Sequence, residues 1–505
     1  MLRTLILTTL FVLSSPSFGQ WFIDGVDVND PPEGMFGEEW VEMFLNGQKI
    51  GYIRTFFRRE GDEVVTVERS YTRLGRDDTQ IESSSVTRTR EKIDGTPISM
   101  SVISREGPLT KKQEFTFEGN RVFVQTDDGF RSWENTFDLE PGYLISWSFV
   151  RKLALTPPSE GDIWEDKIYS PDLVLDRTLP VTTKFLGKEI LNEDSSPVET
   201  LVAEQTLRIG FFPLTVSLWI GEDGRLVKAN MPMGGIDILI VGSTKEQALA
   251  DFADQDIFTE SLIDLAIHLP QGSKSITFLL EAESGTIPPP PESANQTVTE
   301  KSVGAYEIHV VEGQLPDPSE GVTPVDPVYL EASKMVDFED PAILELLAEE
   351  NLDSLPFAEK VERLVEIADE NISIKSLDLG FGSASQALAL QEGDCTEHAL
   401  LLTALCRAAG IPARGASGLV YTGEITWSPQ MGYHMWTQVW NGEEWLDIDA
   451  AFSAARTEPI RILLSVTDLS EMSLAEDFFA IYQYFDRINL SVLAIDGEPV
   501  VEESG

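Results

Sequence analysis

The sequence predicts an α+β protein of more than one domain, with an N-terminal antiparallel β domain followed by an α+β domain that carries the chemistry. Three observations predict it. Residues 38–250 read as short strands separated by Asn-Gly and Asp-Gly turns. Near residue 340 the apolar residues switch to helical spacing. Both cysteines of the 505-residue chain then fall in one stretch, "EGDCTEHALLLTALCRAAGIPARG". At about 150 residues per domain, the length leads us to expect two or three domains.

The first element is a leader. "MLRTLILTTLFVLSSPSFGQW" has one Arg, an apolar run from Leu5 to Leu13, and small residues at Ser17 and Gly19 with signal-peptidase spacing. Residues 1–19 are therefore expected to be a signal peptide cleaved after Gly19, giving a secreted or periplasmic protein. The apolar run is too short to span a bilayer, and no later segment is long and apolar enough, so no membrane span is expected. The chain carries 37 Lys+Arg against 85 Asp+Glu, a formal net charge of −48. That charge is spread along the sequence and argues against nucleic acid and anionic membrane surfaces as partners.

Residues 20–255 form the expected β domain. In "WVEMFLNGQKIGYIRTFF" two strand-like runs flank Asn46-Gly47, a strong hairpin signal, and Asp128-Gly129 and Asp223-Gly224 mark further turns. A sandwich or a curved, half-open barrel fits this pattern. Its role reads as packing or substrate presentation, with a lipid-holding groove as the alternative. Residues 256–330 read as a connecting β segment, with strands "SITFLLEAESG" and "AYEIHVVEGQ" around the Pro-rich linker "TIPPPPESANQT".

From 331 to 495 the reading is the chemistry-bearing domain. Asp340-Pro341 opens a helix over "AILELLAEE", and Phe357, Val361, Leu364, Val365 and Ala368 form an apolar stripe in the next one. After residue 455, a strand, a helix and a closing strand are expected, followed by an acidic tail over 496–505.

Asp394 and Glu397 have capping-box spacing, which starts a helix at Cys395. "ALLLTALCRAA" is apolar on nearly all sides, and Gly410 and Pro412 end it. Cys395 thus lies in the first turn, where free N–H groups and the helix dipole favour a thiolate. Eleven residues of helix hold the two cysteines about 16 Å apart, too far for a disulfide. Cys406 reads as a buried small hydrophobe.

A nucleophilic thiol needs a base, and the chain has four histidines: His268, His309, His398 and His434. In "YHMWTQVWNGEEWLDIDAAF", a two-residue turn at Asn441-Gly442 would pair Trp440 with Glu443. Counting outward, Trp436 meets Asp447 and His434 meets Asp449, close enough for a carboxylate to hold the imidazole. Asp447 would replace Asp449 if the hairpin carried a bulge. His398, one turn beyond Cys395, is the rival base, ranked lower because it lies on the same buried helix.

Three blocks in this order, "GDCTEHALLLTALCRAAGIPARGASGLVY", "YHMWTQVW" and "EEWLDIDAAF", resemble the transglutaminase-like branch of the papain-type cysteine enzymes. The resemblance covers roughly residues 335–470 and implies a papain-like/transglutaminase-like α+β fold. It further implies a catalytic triad of Cys395 as nucleophile, His434 as base and Asp449 as orienting acid. The implied activity is acyl transfer on amide bonds of a protein or peptide substrate through a thioester, ending in hydrolysis, deamidation or amine transfer. No cofactor is implied. Calcium-loop spacing is missing from Asp-rich pieces such as "DGVDVNDPP", and four scattered histidines do not make a zinc site. No Trp occurs between Trp219 and Trp427, so the upstream tryptophan oxyanion donor of animal transglutaminases is missing. Gln386 or Gln391 would have to stand in for it. The alternative function is a non-catalytic scaffold or binding protein with the same fold.

Overall fold

In a computed structural model of the chain, the described residues are 25–76, 79–107, 109–193, 196–209, 212–233, 236–250, 262–317, 323–348, 350–375, 382–423, 428–470, 477, 480–481, 483–485 and 487–500. The expected signal peptide and the last five residues of the acidic tail lie outside them. The chain divides into two compact units at 256/257. Most of the described secondary structure is β. No helix among the described residues is long and apolar enough to cross a membrane.

The N-terminal unit is one antiparallel sheet of fourteen strands among the described residues, from β1 (Gly34–Leu45) and β2 (Gln48–Glu60) to β14 (Ile236–Ser243). Two meanders run outward, and β1 pairs with β14 to join them. The first hairpin is as the sequence predicts. Asn46 and Gly47 take φ 48° and 79°, so Leu45 faces Gln48 across a two-residue turn. Helix α1 (Ser146–Leu155) departs from the all-strand expectation for this region. It buries Trp147 and Val150 against Phe57 and Val64. The Glu91 carboxylate accepts the N–H groups of Trp147 (2.5 Å) and Ser148 (2.9 Å), supplying from another element the cap that Ile145 lacks. A single-turn helix, α2 (Lys245–Ala248), follows β14.

The C-terminal unit contains two five-stranded sheets. In the first, β15 (Ile263–Asp264), β22 (Gln430–Trp440), β21 (Ala413–Tyr421) and β24 (Arg461–Thr467) lie in that order, and β23 (Trp445–Ile448) also pairs with β22. In the second, the order is β17 (Gln296–Ser302), β18 (Ala305–Val311), β16 (Ser275–Ala282), β25 (Ile488–Ile495) and β26 (Glu498–Pro499). The segment expected to connect two domains therefore supplies most of a sheet that the closing strand completes. The Pro-rich stretch is anchored and is not a free linker. The carbonyls of Pro288 and Pro291 accept from Tyr484 Oη (3.0 Å) and Gln296 Nε2 (2.8 Å). The Gln296 amide also closes a reciprocal pair with the backbone of Leu463 in β24, both bonds 2.8 Å. Glu498 pairs with Ile495, so the start of the expected tail is part of a β turn.

Helices of this unit include α3 (Pro341–Ala348), α4 (Phe357–Asn371), α5 (Ala384–Leu390) and α6 (Cys395–Ala408). The α4 stripe of Val361, Leu364, Val365 and Ala368 packs with Leu400, Leu401 and Leu405 of α6 and with Met435, Val439, Leu446 and Ile448 of the first sheet. A second core joins Ile276, Phe278, Ile308 and Leu490 to Leu419, Tyr421, Met431 and Ile462. The first sheet is thus held by helices and by the second sheet, which fixes its register around the site.

Candidate active site

The capping box expected at Cys395 is present. Asp394 Oδ1 accepts the Thr396 N–H (2.7 Å), and Glu397 Oε2 accepts the Asp394 N–H (2.9 Å). Just before it, β19 (Ile374–Lys375) pairs in parallel with β20 (Glu392–Gly393) and delivers the chain to the helix. Gly393 is needed for space, because a Cβ there would lie 2.4 Å from Glu397 Cβ. At the other end Gly410 takes φ 76° and the Ile411 N–H bonds the Cys406 carbonyl (2.9 Å), closing a Schellman motif.

Both thiols are free, and the helix gives them opposite settings. Cys406 is fully buried, and burial pushes its thiol up, out of the range where it ionises. Cys395 is half-buried at the first helical position. Glu397 is buried beneath it. Burial, reinforced by the adjacent Asp394 carboxylate, holds Glu397 well above the usual carboxylate range. Glu397 therefore opposes a thiolate at Cys395 less than an ordinary carboxylate would.

Strand β22 brings the imidazole. Thr437 Oγ1 donates to the Ala399 carbonyl (3.1 Å), which ties β22 to α6. His434, Trp436 and Gln438 occupy the alternate positions of the strand. His434 Nε2 donates to Asp449 Oδ2 at 2.8 Å, and Cys395 lies near enough to the imidazole to favour its charged form. The sequence-predicted residues Cys395, His434 and Asp449 thus meet in one place.

The hairpin reaches this arrangement by a different route from the one the sequence predicts. Trp440 faces Trp445, not Glu443, and Gln438 faces Asp447. The loop is four residues, 441–444, because Asn441 does not enter the left-handed region a primed turn requires. Its side chain instead accepts the N–H groups of Glu443 and Glu444, both at 2.9 Å. His434 therefore does not sit directly opposite Asp449. It reaches Asp449 diagonally, a separation of about 7–8 Å between backbones that a long side chain can cross.

Asp447, the other candidate acid, accepts from Trp436 Nε1 (2.7 Å) and Gln438 Nε2 (2.8 Å). Burial raises its carboxyl above the ordinary value, against the pull of these two bonds. Asp449 has the opposite setting. Although buried, it lies well below the usual carboxylate range because His434 and Arg461 both face it. Burial works against charge on His434 too, but Asp449 and the Cys395 thiol outweigh it and push the imidazole up to about 9. The ring is enclosed by Trp436, near-parallel at 6.1 Å and 16°, and by Phe452, edge-on at 5.1 Å and 89°. The rival base His398 is buried in its own helix, with Nδ1 2.7 Å from the Asp394 carbonyl.

Arg461 was not among the residues singled out from sequence. Its Nη1 donates to Asp449 Oδ2 at 2.8 Å, the same oxygen that accepts from His434. The available signal was a lone charge in the apolar run "IRILLSV". The two glutamines named for the oxyanion lie at opposite ends of α5. Gln386 Oε1 accepts the Ser383 N–H as a helix cap (2.9 Å), and Gln391 is an exposed left-handed C-cap at φ 53°.

Residues 347–450 match the model of the transglutaminase-like superfamily. Among solved structures, the chain resembles a β-barrel-like protein of unknown function from Brucella abortus, with 13% identity over 41% of this chain and 95% of that one and a TM-score of 0.32. It also resembles a candidate cysteine protease from Cytophaga hutchinsonii, with 13% identity over 46% of this chain and 92% of that one and a TM-score of 0.28. No curated protein matches the sequence.

Proposed function

We propose, on the premise that residues 347–450 are a transglutaminase-like domain, that this protein is an exported cysteine-dependent acyl-transfer enzyme acting on amide bonds of proteins or peptides. The observation that carries the reading is the His434–Asp449 bond, with Cys395 at the start of a buried helix close enough to act on the imidazole. That is the nucleophile, base and orienting acid needed to activate a thiol.

In this mechanism the Cys395 thiolate attacks the amide carbonyl carbon, and its new C–S bond pushes electrons onto the carbonyl oxygen. The N-cap carboxylate takes the Thr396 N–H and not that of Cys395, so the Cys395 N–H supplies one donor to this oxyanion. The oxyanion collapses, the C–N bond breaks, and the imidazolium of His434 gives its proton to the departing nitrogen. A thioester remains. Water or an amine then attacks it, His434 takes the proton, and Cys395 leaves as thiolate. Water yields an acid, by hydrolysis or deamidation; an amine yields a new amide. The leader-like pattern of residues 1–19 supports an exported setting for this chemistry.

The test is alkylation of the folded protein across pH, with mass spectrometry reporting Cys395 and Cys406 separately. Fast labelling of Cys395 well below the pH at which free thiols react, lost in His434→Ala, is the expected result. Equal, slow labelling of both cysteines, unchanged by the substitution, would rule the enzyme out in favour of a scaffold.

A further inference from the structure

Asp449 Oδ2 accepts from two cationic donors at once, His434 Nε2 and Arg461 Nη1, each at 2.8 Å. Arg461 is 3% exposed, with its guanidinium carbon 5.5 Å from the centre of the Trp436 ring. Trp436 and Gln438 bond Asp447 and not Asp449. Asp449 Oδ1 is occupied separately by the Ala451 N–H at 3.1 Å. The turn beyond it is fixed by reciprocal bonds of 2.7 Å between the backbones of Asp449 and Ala454. Orientation of the carboxylate is therefore already provided for without Arg461. What the guanidinium adds is charge.

We infer that Arg461 is a positioning residue that acts through Asp449, its fixed charge compensating the buried carboxylate so that the imidazole of His434 can release its proton. The inference rests on the reading of Cys395 and His434 as a catalytic pair. Without Arg461, a deprotonated His434 would leave a buried, uncompensated anion at Asp449, and the imidazole would hold its proton more tightly. In acyl transfer that proton must move to the departing nitrogen and another must be taken from the incoming nucleophile, so a base that cannot let go stalls both steps. With Arg461 present, Asp449 is paired whether or not His434 is charged.

The groups that face the imidazole are few. From the start of α6 come Cys395 and, near it in the chain, Asp394 and Glu397. From the end of β23 come Asp449 and, one pair away, Asp447, and from β24 comes Arg461. Phe452 and Trp436, neither of them titratable, also lie against the ring.

The experiment is an NMR titration of the full chain with Cε1-labelled histidine, in which His434 is one of four histidines and is assigned by its loss in His434→Gln. It compares wild type, Arg461→Gln and Arg461→Lys. Gln keeps a donor and removes the charge; Lys keeps the charge and loses the fork. The expected result is a rise of His434 titration by about one unit or more in Arg461→Gln, with Arg461→Lys close to wild type. An unchanged His434 titration in Arg461→Gln overturns the inference, and so does an equal shift in both variants. Alkylation of wild-type Cys395 is measured alongside. If Cys395 is inert there, the catalytic reading fails by itself, whatever the Arg461 variants show.

Discussion

Trp436 and Asp447 are bonded at 2.7 Å across the β22–β23 hairpin although they are not opposite each other. Strand β22 is in register with Asp447 at Gln438, two residues further on. The same two-residue diagonal joins His434 to Asp449. The two pairs are stacked copies of one geometry with different donors, and the donors decide what each carboxylate does.

Substituting the two aspartates should separate these roles. Asp449→Asn removes the anion facing His434 and Arg461, and Cys395 alkylation at neutral pH is expected to fall about tenfold or more. Asp447→Asn keeps an acceptor for two neutral donors. Its expected effect is a loss of about 1 kcal/mol in denaturant unfolding, with Cys395 alkylation close to wild type.

The same geometry predicts a pH dependence of stability. His434 titrates at about 9 in the folded chain against an ordinary 6.5. A raised value means the folded state binds the proton more tightly, so the stabilisation is complete below about 6.5 and is lost as pH rises through about 9. Asp449 is lowered, so its contribution is present above its ordinary value of 3.8 and is lost only as pH falls through the depressed folded value. Urea unfolding of wild type and His434→Ala at several pH values checks this: the difference between them should shrink between pH 6.5 and 9.

Gly393→Ala tests how closely the helix start is fitted. The added Cβ would meet Glu397 Cβ at 2.4 Å, so either the capping box opens or β20 moves. We expect a cost of about 1–3 kcal/mol in thermal unfolding and slower Cys395 alkylation. Unchanged labelling would mean that the cap does not position the thiol.

Cys406 should behave as core. It is fully buried among Leu402, Leu405 and Ala404, so it is expected to label only on unfolding. Cys406→Ala should cost about 1 kcal/mol and leave Cys395 labelling intact, as followed by mass spectrometry.

The sequence was most legible where signals are local. Asn46-Gly47 is a two-residue turn as its residues dictate, and Asp394 and Glu397 cap α6 as their spacing dictates. The identical Asn-Gly pair at 441–442 misleads because the Asn441 side chain finds two backbone donors of its own and a four-residue loop results. His434 and Asp449 are bonded although the register that pairs them from sequence is two residues off, since side-chain reach along a diagonal is not visible in a strand count. Arg461 lies twelve residues beyond the carboxylate it holds, on a strand whose partner is set by tertiary packing, so no local pattern connects the two.

Strand β16, near the beginning of the C-terminal unit, lies between β18 and β25, the latter close to the end of the chain, with Ile276 facing Ile495. During synthesis β16 must wait for almost the whole unit to be made before one of its two neighbours exists. The backbone groups along that side of β16 stay open until then, a long-range pairing of the kind that folds slowly. A nascent chain therefore completes its second sheet only when its last strand emerges, well after Cys395, His434 and Asp449 have all been translated.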